Sequence, residues 1–175
     1  MVDVIDQSTQ IRRADCSDAS AIVSVLRVAF AEYESLYTPR AFAATTPTAD
    51  ELSRRLNEGP TWIALFHHTV VGTVSAVQRG EILYIRSMAV VPKARGQGVG
   101  TLLLEHVERY AHEQGVLRLE LSTTPFLLDA IALYKRLGFH KSDHGPCELS
   151  GTPLFTMTKT LVGESHDFHS DALDM

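Results

Sequence analysis

The chain has 175 residues, of which 45% are hydrophobic and 21% are charged, so its composition fits one folded domain and excludes a disordered chain. The net charge of −5 and the lack of a basic block argue against a nucleic-acid partner. The two cysteines cannot form a disulfide framework, and no apolar run reaches the ~18–20 residues that span a bilayer. No signal peptide is evident, so we expect a cytoplasmic protein without a membrane partner.

The first third of the chain predicts one strand and two helices. Residues 11–14 alternate as a short strand, and apolar positions from Ile22 to Phe30 recur at helical spacing, which predicts a helix over about 17–34. Residues 37–48 are rich in proline and threonine and predict a loop. A second helix should follow, with Thr48 or Asp50 as its N-cap.

The rest of the chain changes from clustered strands to alternating helices and strands. Three closely spaced strands are predicted over 62–66, 70–78 and 82–91, which favours an antiparallel meander. A helix over about 99–113, a strand over 117–121, a helix ending at Gly138 and two last strands near Phe139 and over 154–160 follow. The order β-α-α-β-β-β-α-β-α-β-β predicts an α+β domain with seven strands and four helices over 8–162, with a polar, flexible tail over 163–175.

The segment Arg95-Gly96-Gln97-Gly98-Val99-Gly100 lies between a predicted strand and an amphipathic helix. Its glycines permit a positive φ and a close approach of the backbone to a ligand, and the amides of a first helical turn have no intrahelical acceptor. These donors, the helix dipole and the Arg95 cation suit a pyrophosphate. A plain tight connection is the alternative. Neither the Walker loop nor the Rossmann fingerprint matches the segment.

Two segments carry a family resemblance. Residues 88–100 (Met-Ala-Val-Val-Pro-Lys-Ala-Arg-Gly-Gln-Gly-Val-Gly) resemble motif A of the GNAT acyl-CoA N-acyltransferase superfamily, and Ala130 to Phe139 is similar to its motif B. The resemblance implies the GNAT fold, with a mixed, mostly antiparallel sheet flanked by helices. It implies transfer of acetyl from acetyl-CoA to a primary amine by direct attack in a ternary complex. The alternative is a non-catalytic acyl-CoA-binding or regulatory module.

The resemblance also implies roles for individual residues. Main-chain groups of Met88 and Val90 would pair with the pantetheine arm, and Arg136 would reach a CoA phosphate. Tyr134 would protonate the departing thiolate, unless it is an ordinary core tyrosine at helical spacing. The predicted cofactor contacts are Met88, Ala89, Val90, Arg95, Gly96, Gln97, Gly98, Val99, Gly100, Thr101, Thr123 and Arg136.

Two positions depart from the family pattern. Leu127 stands where many relatives carry an Asn that contacts the cofactor, so Thr123 or Thr124 is expected to supply that contact. Tyr84 stands where the fourth strand often carries a Glu that acts as the base. Glu81 or Glu34 could then serve through a water, or the amine could arrive already neutral.

The acceptor is the least defined part of the sequence interpretation. Arg86 shares strand parity with Tyr84, and a buried arginine requires an anionic partner. Arg86 either pairs with Glu81 or Glu120 or binds a carboxylate of the acceptor. The predicted substrate-binding residues are Arg86, Tyr84 and Glu34. A small amine or amino acid is favoured over a protein N-terminus, a homodimer is possible, and no metal is expected.

Overall fold

The computed structural model describes residues 9–161, which lie within the predicted domain of 8–162; the predicted tail lies outside the described residues. The strands are β1 (Thr9–Arg13), β2 (Thr61–Phe66), β3 (Thr69–Arg79), β4 (Ile82–Val90), β5 (Arg118–Thr123), β6 (His140–Lys141), β7 (Glu148–Leu149), β8 (Thr152–Pro153) and β9 (Phe155–Thr160). The α-helices are α1 (Ala19–Phe30), α2 (Pro39–Thr45), α3 (Ala49–Arg55), α4 (Val99–Glu113) and α5 (Leu128–Arg136). Short 3-10 turns lie at Cys16–Asp18, Ala31–Leu36 and Pro92–Ala94.

Seven strands form one twisted sheet, and β7 and β8 form a separate hairpin. The order in the sheet is β1-β2-β3-β4-β5-β9-β6, and β4 and β5 are its one parallel pair in the described range. The prediction of an α+β domain around a mixed, mostly antiparallel sheet is therefore confirmed. Helices α1 and α4 both pack against β3 and β4. Within residues 9–161, none of the helices combines the length and the hydrophobicity needed to cross a bilayer.

The helix predicted over 17–34 is shorter than expected. Its apolar positions Ile22, Val25, Leu26 and Ala29 are buried, as the helical spacing predicts. The α-helical part ends at Phe30, and the chain tightens into the 3-10 turn Ala31–Leu36. This turn carries no buried residue, so it lacks the buried apolar face that stabilises α1.

The loop predicted over 37–48 is wrong, because α2 forms there and the domain has five α-helices, not four. Pro39 occupies the first position of α2, where its missing N–H costs nothing, and the Thr38 hydroxyl accepts a hydrogen bond from the Ala41 amide at 3.3 Å. The predicted cap of the next helix is confirmed at Thr48, which forms a capping box with Glu51. The hairpin β7–β8 was not predicted either.

The sheet splits where β4 and β5 stop pairing. Their parallel register runs only from Ile82 opposite Arg118 to Ile85 opposite Leu121. On the other side of β4, Ser75 pairs with Arg86 and Thr73 pairs with Ala89, so β4 carries one residue more than β3. This bulge holds Ser87 at a φ of +52°, a conformation that L-residues rarely adopt. From Arg86 onward, the edge of β4 that faces β5 is therefore open.

Candidate active site

Two cavities adjoin at the split between β4 and β5. The glycine-loop cavity, of about 600 Å³, lies between the end of β4, the loop and first turn of α4, and α5. The splay cavity, of about 300 Å³, lies between β4, the end of β5, α2 and the β7–β8 hairpin. Met88 and Tyr134 line both cavities. The two spaces therefore meet at these two side chains.

Glycine-specific backbone geometry forms the glycine-loop cavity. Gly96 and Gly98 have φ values of +72° and +79°, and Gly98 is the N-cap of α4. A Cβ atom on Gly98 would meet no heavy atom within 4 Å, so the conformation and not the space requires glycine. The first backbone hydrogen bond of α4 runs from the Leu102 amide to the Gly98 carbonyl. The amides of residues 99–101 precede it and have no intrahelical acceptor, which suits an anion.

Gly100 is needed for a different reason from the one expected. Its φ is not positive, so the predicted backbone requirement does not apply at this position. A Cβ atom there would lie 2.9 Å from Leu133 Cδ2 and 3.4 Å from Met88 Cε. The missing side chain therefore lets α4 pack closely against α5 and β4, at the wall of the glycine-loop cavity.

The Arg95 guanidinium is not directed at the proposed phosphate site. Nε donates to the Val90 carbonyl at 3.2 Å, Nη2 donates to the Ala29 carbonyl at 2.9 Å, and Nη1 contacts the Glu32 carboxylate. Carbonyl groups at the C-terminal end of α1 attract this cation. Arg95 thus ties the glycine loop to α1, which corrects the expectation that its fork faces the pyrophosphate.

Other predicted cofactor residues differ in position. The structure places Met88, Ala89, Val90, Arg95, Gly96, Gly98, Val99, Gly100, Thr101 and Arg136 around the glycine-loop cavity. Gln97 does not line it, and its side chain donates to the Lys93 carbonyl at 3.3 Å. Arg136 Nη2 lies 3.5 Å from the Thr101 hydroxyl, which brings a cation beside the first turn of α4. Asp129 also lines this cavity and was not predicted.

Tyr134 is a buried phenol between the two cavities. Its side chain is only 6% exposed, and its ring lies 6.0 Å from that of Phe139. Burial, and to a smaller extent the neighbouring Tyr37, raises the pKa of Tyr134 well above its ordinary value. The phenol therefore keeps its proton at neutral pH.

Three residues that line the splay cavity each have a buried polar atom with no hydrogen-bond partner among the described residues. These atoms are Arg86 Nε, Thr123 Oγ1 and Thr124 Oγ1. Thr123 was expected to contact the cofactor, but it lines the splay cavity and not the glycine-loop cavity, because β5 has separated from β4 where it ends. Leu127 lines the splay cavity as well.

The ion pair expected for Arg86 exists, but with another partner. Arg86 Nη2 lies 2.5 Å from a Glu58 carboxylate oxygen, and the Glu58 side chain is half exposed. Glu120 instead pairs with Arg118 at 3.2 Å. Glu81 lies in the turn before β4, five residues from Arg86 and hence roughly 16 Å along an extended strand.

Neither acid predicted as a base shares a cavity with Tyr134. Glu81 and Glu34 are exposed and line neither cavity, which corrects both predictions. Tyr84 does line the splay cavity, and the Arg79 guanidinium lies 4.4 Å from its ring centre. Among the described residues, the one acidic side chain that lines the splay cavity is Glu148. Glu148 lies on the β7–β8 hairpin, whose two-residue strands are too short to show a periodicity in the sequence.

Hydrogen bonds join the two sides of the splay cavity. The Thr38 amide donates to the Thr152 hydroxyl at 2.9 Å, and the Thr38 hydroxyl donates to the Ser150 carbonyl at 2.8 Å. These bonds fasten the start of α2 to the β7–β8 hairpin. The adjoining Tyr37 is buried, and this burial raises its pKa. The nearby Thr124 hydroxyl partly offsets the rise, although this hydroxyl makes no hydrogen bond of ordinary geometry. Tyr37 was not named among the predicted site residues, although it lines the splay cavity.

Comparison with known proteins places this geometry in context. Residues 23–139 match a family model described as "Acetyltransferase (GNAT) family". The chain is 31% identical over 150 residues to "Uncharacterized N-acetyltransferase YjgM" of Escherichia coli (strain K12), a match that covers 82% of this chain and 89% of that protein.

Solved structures share the fold at low sequence identity. PaiA N-acetyltransferase from Thermoplasma acidophilum, in complex with coenzyme A, superposes with a TM-score of 0.77 at 17% identity over 89% of this chain and 100% of that one. The ribosomal-protein-S18-alanine N-acetyltransferase from Escherichia coli gives 0.70 at 19% identity, over 90% and 97%.

Proposed function

Because the chain belongs to the GNAT acetyltransferase family, we propose that it transfers the acetyl group of acetyl-CoA to the primary amine of a small molecule. One observation carries the proposal: Tyr134 lines both cavities, and it is a buried proton donor. A thioester held from the glycine-loop side and an amine held in the splay cavity would meet beside its hydroxyl.

The glycine-loop cavity suits coenzyme A. The amides of residues 99–101 lack intrahelical acceptors and would bind the pyrophosphate, with the Arg136 cation beside them. The open edge of β4 from Met88 to Val90 would pair with the amide groups of the pantetheine arm, as an added strand does. The CoA-bound structure with the same fold supports this choice of ligand.

The chemistry that we propose is direct attack in a ternary complex. The amine nitrogen forms a bond to the thioester carbon, and the carbon–sulfur bond then breaks. Tyr134 gives its proton to the departing thiolate, so that CoA leaves as the thiol. The proton lost by the amine passes to Glu148, directly or through a water, or to solvent. Glu148 takes this role in the proposal because it lines the splay cavity, whereas Glu81 and Glu34 do not.

The size and closure of the splay cavity favour a small acceptor. Its volume of about 300 Å³ is at the lower end for ligand pockets. The hydrogen bonds from Thr38 to the β7–β8 hairpin close one side of it. A protein N-terminus would require an extended groove on that side.

Calorimetry with acetyl-CoA, followed by thiol release over a panel of primary amines, tests the proposal. We expect saturable binding of acetyl-CoA and release of free thiol with at least one small amine. Absence of binding at near-millimolar acetyl-CoA would contradict it. Binding without thiol release by any amine would instead indicate a non-catalytic acyl-CoA-binding module.

A further inference from the structure

We propose that the acceptor carries a carboxylate, and that Arg86, Thr123 and Thr124 bind this carboxylate in the splay cavity. The substrate would then be an amino acid or a similar small molecule with both an amine and a carboxylate. This inference depends on the acetyl transfer proposed above and specifies its substrate class.

Each of these three residues has a buried polar atom that forms no hydrogen bond of ordinary geometry. Buried polar atoms in proteins nearly always have a partner, because an unpaired one loses its hydration without compensation. Arg86 Nε, Thr123 Oγ1 and Thr124 Oγ1 are buried without a partner of ordinary geometry, although the Thr124 hydroxyl lies near Tyr37, and all three residues line the same cavity. Both threonines are only 5% exposed. Such a concentration points to a ligand that completes the hydrogen bonds.

The hydrogen-bonding chemistry of the three groups indicates which ligand group they can bind. An arginine Nε–H can only donate, and a threonine hydroxyl can donate as well as accept. A ligand group that pairs with all three must accept a hydrogen bond from Arg86 Nε, and it can also accept one from each hydroxyl. A carboxylate does so with two oxygens, and its bonds to a guanidinium are charge-assisted.

Charged side chains of both signs lie at or beside the splay cavity. Glu58 holds Arg86 through Nη2 and leaves Nε buried. A second guanidinium, that of Arg55, donates a hydrogen bond to the carbonyl of the cavity residue Ala44 at 3.1 Å. Burial and the nearby charge of Arg86 lower the pKa of Arg55. Glu148 supplies an anion to the same cavity. Cationic and anionic groups in one small cavity complement the two charges of an amino acid.

Matched acceptors give the first test. Thiol release from acetyl-CoA is measured with the common L-amino acids, with their C-terminal amides, and with the amines that lack the carboxyl group. We expect kcat/KM for the best amino acid to exceed that of its amide at least tenfold. Equal rates for acid and amide would overturn the carboxylate proposal and leave acetyl transfer intact.

Matched variants give the second test. Thr124→Val keeps the volume and removes an unpaired hydroxyl, so we expect it to fold with an equal or higher Tm and to raise the acceptor KM at least tenfold. Thr158→Val is the control, because the Thr158 hydroxyl is also buried but donates to the Leu119 carbonyl at 3.2 Å, away from both cavities. It should lower Tm and leave the acceptor KM unchanged.

A third variant separates charge from geometry. Arg86→Lys keeps the charge and loses the bidentate fork, so the acceptor KM should rise while acetyl-CoA affinity stays the same. An unchanged acceptor KM in both Thr124→Val and Arg86→Lys would overturn the proposal. If acetyl-CoA binds but every carboxylate-bearing amine in the panel fails to release thiol, the carboxylate proposal is wrong. If acetyl-CoA itself does not bind, the proposed function is wrong.

Discussion

The glycine-loop cavity and the splay cavity are neighbours, but the chain builds them in opposite ways. The first is lined mainly by residues that lie close together in the chain, at the end of β4 and in the first turn of α4, with one wall from α5. The second is lined by residues from separate segments between Phe30 and Leu154. A contiguous backbone site can keep one ligand through much sequence change, whereas a site of scattered side chains changes its ligand easily. Our proposal places acetyl-CoA in the first cavity and the acceptor in the second.

The largest expected effect lies where the two cavities meet. Tyr134→Phe keeps the ring and its packing but removes the proton donor, so kcat should fall by about 10²–10⁴-fold. Acetyl-CoA affinity should change little, because the ring still lines both cavities. Steady-state kinetics and calorimetry measure the two quantities. Full turnover in the folded variant would show that Tyr134 is only a core residue.

A smaller effect is expected in the glycine-loop cavity alone. Gly98→Val should lower acetyl-CoA affinity at least tenfold, about 1.4 kcal/mol, because a β-branched residue disfavours the positive φ that presents the amides. Gly115→Val is the matched control. Gly115 follows the other end of α4, has a φ of +66°, and likewise has no heavy atom within 4 Å of a built Cβ. The Gly115→Val variant should lose a similar amount of stability and keep its affinity for acetyl-CoA. Equal losses of acetyl-CoA affinity in both variants would mean that the glycine loop is only a turn.

A substitution at Glu148 should impair the reaction of the amine without weakening the binding of acetyl-CoA. Glu148→Gln removes the proposed proton acceptor, so kcat/KM for the amine should drop about tenfold near pH 7 and recover as the pH rises toward the pKa of the amine itself. Acetyl-CoA affinity should not change. A pH–rate profile of the variant with the same shape as that of the native protein would remove Glu148 from the mechanism.

The smallest expected effect is a pH profile without an alkaline decline. Burial disfavours the phenolate, so the pKa of Tyr134 is raised and the proton stays on the hydroxyl beyond about pH 10, the ordinary value for tyrosine. We therefore expect kcat, measured at saturating substrates, to stay level from neutral pH to the point where the protein unfolds. A decline with a midpoint below pH 10 would indicate a different acid.

The difference between the cavities also explains what the sequence could predict. The glycine loop was identified because its groups follow one another along the chain, and the structure places ten of the predicted cofactor residues around one cavity. The splay cavity depends on contacts that no local pattern encodes. Glu148 enters it on a two-residue strand, and Tyr37 does so because Thr38 bonds to Thr152, 114 residues away.

The mistaken residues share a physical cause. Position along a strand does not indicate where neighbouring strands separate. Thr123, which was expected to contact the cofactor, lines the splay cavity, and Glu81 precedes β4 and lines neither cavity. Spacing also does not indicate which partner a cation chooses, and Arg95 turns to the carbonyl at Ala29. The long-range geometry around β4 decides each of these positions.

A crystal structure of the acetyl-CoA complex tests the division between the cavities most directly. The pyrophosphate should accept hydrogen bonds from the amides of residues 99–101, and the pantetheine arm should lie along β4 from Met88 to Val90. The thioester should end beside the Tyr134 hydroxyl and leave the splay cavity free for the acceptor. A pantetheine arm that enters the splay cavity and covers Arg86 and Thr124 would contradict the division.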